Sequence, residues 1–305
     1  MLNQKAEMLS ILIPTYNYDC RKLVTDLHLQ VSELKIDFEI RVYDDCSPNA
    51  ELKEINNSIS ELGNIVFQKL EQNLGFCKIR NLLAQEANYD NLLFLDADIE
   101  IPINFISNYL KDTSIDIQCG GIVYTATRPT DNSLYLKWKH GKTREELSPT
   151  QRNKNPYRTI SAANIFVKKE VYLKAKMDEE STGYGYNDTM LGYNFKLNNA
   201  TIKHIDNPVL HEGLMSADKF INRSMEAMST LIFFENQPYI KPNFKSYIKV
   251  LKVYYLLNSI GFTNWFLSYF NNNKEKWITN LKSENPNLRN LDKLKLGRLI
   301  ELKND

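Results

Sequence analysis

The sequence lacks the glycine-rich loops with which common nucleotide-binding folds cradle phosphate. Glycine contributes only 11 of the 305 residues. No Gly-x-Gly-x-x-Gly follows the first predicted strand, and no Gly-x-x-x-x-Gly-Lys-Ser/Thr occurs. These absences argue against a dinucleotide-binding fold and a P-loop, so any phosphate must be handled by acidic side chains together with a metal ion.

Cysteine is also scarce. The four cysteines stand singly, without a Cys-x-x-Cys pair or histidines at metal spacing, and they are Cys20, Cys46, Cys77 and Cys119. We therefore expect reduced thiols with a structural role rather than a zinc site or a disulfide framework.

No charge of one sign dominates, and the first residues contain no long apolar run. The 38 Lys and Arg residues nearly balance the 37 Asp and Glu residues, which argues against a nucleic-acid partner. The apolar run at residues 8–13 is too short for a signal peptide or a membrane span. We expect a cytoplasmic protein that holds any charged ligand locally.

The first hundred residues alternate between the periodicities of strands and helices. Strand-like apolar segments lie at residues 8–13, 38–43, 65–70 and 92–95, and apolar residues at helical spacing separate them. Four strands joined by three helical crossovers predict an α/β fold with a mostly parallel sheet flanked by helices. The chain is long enough for one large α/β domain with an appendage, or for two modest domains.

Polar residues close each of the four predicted strands, at residues 15–17, 44–45, 72–75 and 96–98. The ends of parallel strands lie on the same side of a sheet, so these clusters converge on one crevice. Asp96 and Asp98 offer hard oxygen donors that suit Mg²⁺ or Mn²⁺. The alternative for this pair is an ordinary strand end followed by a polar turn.

Taken in order, these segments resemble the motifs of the family 2 glycosyltransferases of the GT-A fold. The matching segments are residues 10–17, 42–47, 73–75 followed by Arg80-Asn81, and 95–98. The resemblance implies a GT-A catalytic domain at residues 1–215 and a nucleotide-sugar donor. It implies donor-binding roles for Pro14, Thr15, Tyr16, Asp44, Asp45, Gly75, Arg80, Asp96, Ala97 and Asp98.

Residues 183–190 are similar to the Gly-Trp-Gly-x-Glu-Asp element of galactosyl- and N-acetylhexosaminyl-transferases of this fold. By position, Asp188 matches the general base for the acceptor hydroxyl; the alternative is an N-cap of a helix that begins near Thr189. Asn187 stands where Glu is usual, and an amide cannot take a proton. We expect contacts with the acceptor or the sugar from Asn164, Tyr184, Tyr186 and Asn187. For Asn164, which follows small residues, close strand packing is the alternative.

His211 matches the late histidine that completes the metal shell of this family, although a lone histidine is also commonly structural. The resemblance implies a metal site formed by Asp98, His211 and Asp96, with Mn²⁺ or Mg²⁺ as cofactor. Asp98 is the expected direct ligand, and for Asp96 a contact with the ribose or with a metal-bound water is the alternative. One base without a nearby nucleophile favours direct displacement with inversion, while some relatives with similar motifs retain configuration. No Gln-x-x-Arg-Trp element occurs, which argues against a processive polysaccharide synthase of the cellulose or chitin type. We therefore expect the transfer of one hexose or N-acetylhexosamine per encounter, from a UDP-sugar or other nucleotide sugar to a glycan or lipid-linked saccharide.

Residues 216–305 form a helical region of a different character, aromatic and basic. Its apolar stretch at residues 247–270 is interrupted by Lys249 and Lys252 and by several polar residues, too often for a membrane span. Packing onto the catalytic domain and peripheral docking on the anionic inner face of a membrane are both open.

Three competing functions share parts of this pattern. A phosphatase of the haloacid dehalogenase type places its acidic pair after the first strand, whereas this pair closes the fourth. A nucleotidyltransferase would share the α/β core and the metal carboxylates, but no glycine-rich basic loop follows the first strand. A non-catalytic sugar-binding module is suggested only by Asn187.

Overall fold

The computed structural model describes residues 8–304, apart from the side chain of Ser246. The chain forms two compact units. The first comprises the residues up to Thr125, Arg144–Glu180 and Asn187–Gly213, and the second comprises Ala126–Thr143, Ser181–Tyr186 and the residues from Leu214 onward. Two short segments that precede the boundary predicted at residue 215 therefore belong to the second unit.

The first unit contains all ten strands of the described chain. They are β1 (Met8–Thr15), β2 (Asp37–Asp44), β3 (Ile65–Lys69), β4 (Asn91–Leu95), β5 (Ile99–Glu100), β6 (Ile117–Cys119), β7 (Ile122–Val123), β8 (Asn164–Lys168), β9 (Ile202–His204) and β10 (Val209–His211). Its helices are α1 (Arg21–Glu33), α2 (Ala50–Asn57), α3 (Gly75–Glu86), α4 (Phe105–Tyr109), α6 (Pro149–Asn153), α7 (Lys169–Ala175) and α8 (Asn187–Leu197). A further helix, α5 (Tyr135–His140), belongs to the second unit.

Seven strands form one sheet in the order β3-β2-β1-β4-β8-β6-β9. The pairs from β3 to β4 are parallel, β8 runs antiparallel to both of its neighbours, and β6 pairs with β9 in parallel. A small second sheet has the order β5-β10-β7. The predicted α/β fold with a mostly parallel sheet and C-terminal helices is confirmed.

Both faces of the large sheet are buried, which explains the apolar runs of its central strands. Leu9, Ile11 and Ile13 of β1 pack with α1 and α4, while Leu12 packs with α3. The side chains of β4 divide in the same alternating way between the two layers. The central strands are thereby held rigidly, with their carboxyl ends at one edge of the sheet.

Residues 127–157, which have the polar composition of a surface excursion, carry more regular structure than that pattern suggests. They include α5, a π-helical turn at Gly141–Glu145 and α6. Ser148 and Gln151 form a capping box at the start of α6, with Pro149 in its first turn. Arg152 of α6 is buried and donates hydrogen bonds to the carbonyl oxygens of Cys119, Gly120 and Ile205. The segment is therefore partly integrated into the core of the first unit.

The second unit is helical. Its other helices are α9 (Ala217–Glu235), α10 (Phe244–Tyr247), α11 (Lys249–Ser259), α12 (Thr263–Leu281) and α13 (Leu288–Asn304). Its core contains Phe220, Phe270, Trp277 and Leu294. Among the described residues, no helix combines the length and the apolar character that crossing a membrane requires.

Candidate active site

The carboxyl ends of β1 and β2 are tied together at the edge of the large sheet. Thr15 and Asp44 are register partners, and the N–H of Asp45 donates to the carbonyl of Thr15 over 2.9 Å. Asp44 is buried and accepts hydrogen bonds from the N–H and the hydroxyl of Ser47 at 2.8 and 2.6 Å. Tyr16, at the same strand end, is 55% exposed. Of these predicted donor-binding residues, Tyr16 offers a free surface, while Asp44 organises the loop.

Asp45 positions the start of α3. Its two carboxylate oxygens accept the backbone N–H groups of Leu74 and Gly75 at 2.6 and 2.9 Å, where the helix presents unsatisfied donors and a positive dipole end. Gly75 adopts φ +78°, a conformation that favours glycine. The second and third predicted clusters are thus joined by one carboxylate.

Arg80 of α3 connects that helix to the end of β4. Its Nη2 forms an ion pair with Oδ1 of Asp96, and Nη1 donates to the carbonyl of Phe76 over 3.1 Å. The guanidinium lies over the ring of Phe76, 3.7 Å from the centroid. Its Nε is buried without a hydrogen-bond partner. Arg80 therefore orients the carboxylate of Asp96.

Asp96, Asp98 and His211 come together as predicted from the motif order. One ligand atom from each lies within 4.8 Å of the others, and Nε2 of His211 is 4.0 Å from Oδ1 of Asp98. The small sheet produces this approach, because His211 of β10 is the register partner of Ile99 of β5. Two carboxylates and an imidazole that are only partly exposed suit a divalent cation such as Mn²⁺ or Mg²⁺.

Gly213 packs directly against Asp98 and His211 of this cluster. A Cβ atom at this position would lie 1.7 Å from Oδ2 of Asp98 and 2.9 Å from Cε1 of His211. The N–H of the preceding residue, Glu212, donates to the carbonyl of Asp98 over 2.9 Å. The chain after β10 is therefore pressed against Asp98 at a distance that admits no side chain.

Tyr124, held by Glu145 and Glu146, supports His211, and the sequence patterns reveal none of these three residues. The ring of Tyr124 stacks on the imidazole with centroids 5.6 Å apart, and its hydroxyl donates to the carboxylate of Glu145. Its N–H donates to Oε2 of Glu146 over 2.9 Å. Tyr124 follows β7, which pairs with β10. Only this strand pairing brings it to His211, so no local sequence signal could have found it.

Asp188 lies in the first turn of α8, which begins at Asn187 rather than near Thr189. Its Oδ1 is buried without a hydrogen-bond partner, although the residue keeps some exposed surface. Burial raises the pKa of Asp188 to about 6; Arg80 and the N–H of Ala162 lower this pKa, while Asp96 and Glu145 raise it. Asp188 is therefore a desolvated carboxylate with one unpartnered oxygen in the first turn of α8.

The predicted sugar-contacting residues fall into different environments. Asn164 is buried, and its amide donates to the carbonyls of Gly121 and Asn207 and accepts from the hydroxyl of Tyr109 at 2.5 Å. These hydrogen bonds hold the start of β8 by close packing, which was the alternative to a sugar contact for Asn164. Asn187, at the start of α8, is also buried.

Tyr184 and Tyr186 belong to the second unit. There the guanidinium of Arg223 lies 4.7 Å from the ring centroid of Tyr184, and the ammonium of Lys295 lies 5.6 Å from that of Tyr186. Gly183 and Gly185 pack so tightly on α9 that a Cβ would lie 2.0 Å from Oγ1 of Thr230 and 2.7 Å from Cβ of Ala227. The two glycines of this motif are therefore explained by packing.

Comparison with known proteins identifies a family for this chain. Residues 10–172 match the family model described as glycosyl transferase family 2. Chondroitin synthase of Escherichia coli is 25% identical over 218 residues, which are 61% of this chain and 32% of the relative. The chain thus spans about a third of the length of that relative.

Two solved structures share the fold. The mannosyltransferase PcManGT from Pyrobaculum calidifontis, in complex with GDP-Man and Mn²⁺, superposes with a TM-score of 0.52 at 13% identity, over 78% of this chain and 67% of that one. S. aureus TarS 1-349 gives a TM-score of 0.50 at 17% identity, over 97% of this chain and 91% of that one. At these identities the likeness concerns the fold.

Proposed function

The chain belongs to glycosyl transferase family 2 and is a glycosyltransferase of the GT-A fold, and on this premise we propose a specific reaction for it. It transfers a single hexose or N-acetylhexosamine from a UDP-sugar or another nucleotide sugar to a hydroxyl of a glycan or lipid-linked saccharide, with inversion. The observation that carries the proposal is that the first unit holds the Asp96, Asp98 and His211 cluster together with Asp188, a buried carboxylate with a free oxygen.

The donor side of the site is built from the ends of β1, β2 and β4. Tyr16 offers an exposed ring for the base, and Asp44 and Asp45 hold the loops on which base and ribose rest. The complex of the mannosyltransferase PcManGT with GDP-Man agrees with a nucleotide-sugar donor. The chondroitin synthase among the relatives agrees with a saccharide acceptor.

Asp98, His211 and Asp96 would hold a divalent cation. When bound, such an ion neutralises the negative charge of the donor diphosphate and of the leaving nucleotide. Arg80 keeps the Asp96 carboxylate in place through their ion pair. Tyr124 stacks on His211 and is hydrogen-bonded to Glu145, so it fixes the plane of the imidazole.

Asp188 takes the proton from the attacking hydroxyl of the acceptor. With a pKa of about 6, this carboxylate is ionised at neutral pH and is still a stronger base than an ordinary aspartate. Asn187 at the start of the same helix turn has no acid–base function. A single base and direct attack at the anomeric carbon invert its configuration.

A panel of nucleotide sugars tests this proposal, with and without Mn²⁺. We expect one donor to raise the unfolding temperature only when metal is present, and to be consumed with release of nucleoside diphosphate. Asp98→Ala should lose both effects, whereas Asp188→Asn should lose only turnover. Asp26→Asn, which removes an exposed carboxylate in a surface ion pair, should change neither. Release of pyrophosphate would indicate nucleotidyl transfer, and donor binding without turnover would indicate a sugar-binding module.

A further inference from the structure

Exposed apolar side chains concentrate at the turn between α11 and α12. Leu256, Ile260, Phe262 and Trp265 are 61%, 56%, 48% and 60% exposed, and we call these four residues the α11–α12 tip. The turn itself contains Gly261 at φ +71°, just after the end of α11. Single exposed apolar residues are normal on protein surfaces, but a contiguous group marks an interaction site.

Aromatic contacts continue from the tip along α12. The rings of Phe262 and Trp265 are 6.0 Å apart, and Trp265 stacks on Tyr269 with centroids 5.7 Å apart and planes 8° apart. The opposite sides of the two helices are buried in the second unit through residues such as Leu251 and Phe270. The helices therefore hold the aromatic rings outward on a rigid support.

The chain segment that contains the tip carries charge of one sign. Residues 236–274 contain five lysines and no acidic residue, although the whole chain carries a net charge of only +1. Lys249 and Lys252 precede Leu256 on α11 by seven and four residues, so the three share one helix face, and all three are exposed. This face is basic at its start and apolar toward the tip.

We propose that the α11–α12 tip inserts into the interface of an anionic lipid bilayer. The aromatic and aliphatic residues of the tip would enter the boundary between headgroups and acyl chains, where Trp is favoured, while Lys249 and Lys252 bind lipid headgroups. A second copy of the chain is a poorer occupant of the tip, because two surfaces whose charged residues are all lysines repel one another. The proposal concerns only the second unit and does not rest on the proposed transfer reaction.

Co-sedimentation of the full chain with vesicles tests the electrostatic part. We expect binding to phosphatidylcholine vesicles that contain about 30% phosphatidylglycerol, weakening with salt, and no binding to pure phosphatidylcholine. Lys249→Gln with Lys252→Gln should lower the partition coefficient roughly 30-fold, because each lysine near such a surface contributes about a factor of five. The matched control, Lys174→Gln with Lys176→Gln, removes the same charge from exposed positions of the first unit and should bind like wild type.

Substitutions in the tip test the apolar part. Phe262→Ser with Trp265→Ser should weaken binding roughly 100-fold, whereas Ile103→Ser, at a side chain that is 86% exposed in the first unit, should not. Trp265 is exposed while Trp277 is buried and Trp138 is half-buried. Anionic vesicles should therefore shift the tryptophan emission to the blue, and Trp265→Phe should abolish the shift while keeping most of the binding.

Several results would overturn the proposal. They are the absence of sedimentation with anionic vesicles, equal binding to neutral vesicles, and insensitivity to both double substitutions. A dimer in analytical ultracentrifugation that disappears in the Phe262→Ser and Trp265→Ser variant would identify a second copy as the occupant instead. An unchanged unfolding temperature of each variant in the absence of vesicles establishes that its fold is intact.

Discussion

Replacing Asp188 by asparagine should separate the catalytic role of this carboxylate from its effect on stability. Burial raises the pKa of Asp188 from 3.8 to about 6. One pKa unit corresponds to about 1.4 kcal/mol, so the ionised carboxylate destabilises the folded protein by up to about 3 kcal/mol at neutral pH. Asparagine is uncharged, and its carbonyl oxygen can still accept the N–H of Ala162.

The pH dependence of this effect has a definite sign. Burial makes the folded state favour the protonated carboxyl of Asp188. The stability that this protonated form contributes is fully present below pH 3.8, the pKa of the group in the unfolded chain, and it is lost as the pH rises through about 6. Asp188→Asn should therefore unfold up to about 5 °C above wild type at neutral pH. This difference should shrink toward zero as the pH approaches 3.8.

Thermal unfolding across this pH range measures the stability effect, and initial rates of sugar transfer measure the catalytic one. Asp188→Asn should lower kcat by roughly 10²–10⁴-fold, the usual contribution of a general base, and wild-type kcat/KM should fall below about pH 6. Asp26→Asn serves as control for the loss of a carboxylate. A variant that is less stable than wild type at neutral pH, or a difference that does not depend on pH, would refute the assignment of a desolvated carboxylate. Undiminished turnover would refute the base.

Further predictions concern the residues that support the cluster of Asp96, Asp98 and His211. A metal titration of Gly213→Ala should show that the Mn²⁺ concentration needed for half-maximal activity rises roughly tenfold, because the added Cβ would displace the Asp98 carboxylate. Gly63→Ala, where a Cβ meets open space, should leave this Mn²⁺ concentration unchanged. Tyr124→Leu should likewise weaken metal activation, while Tyr124→Phe should retain most of it if ring stacking on His211 is the main support; equal losses would assign the support to the hydroxyl. Chelation with EDTA should abolish transfer, and added Mn²⁺ or Mg²⁺ should restore it; full activity in EDTA would contradict a metal-dependent reaction.

The sequence periodicity predicts much of the fold because both faces of the central strands are buried. The apolar runs locate β1, β2, β3 and β4 to within two residues of their observed bounds. The direction of β8 has no such local signal, since a buried strand shows the same apolar pattern whether it runs parallel or antiparallel to its neighbour. The integration of Arg152 is also invisible locally, because its hydrogen-bond acceptors are carbonyls from distant segments.

The sequence by itself determined which chemistry is available: carboxylates at strand ends, a late histidine, and an Asp188 in the expected order. Strand alternation and the shared edge of parallel strands are local consequences of chain geometry, so they can be predicted from order and spacing. Only the tertiary structure decided how these groups are used. The β5–β10 pairing brings His211 to Asp98, burial desolvates Asp188, and the β7–β10 pairing brings Tyr124 to His211. Contacts and desolvation of this kind depend on segments far apart in the chain, which no local pattern encodes.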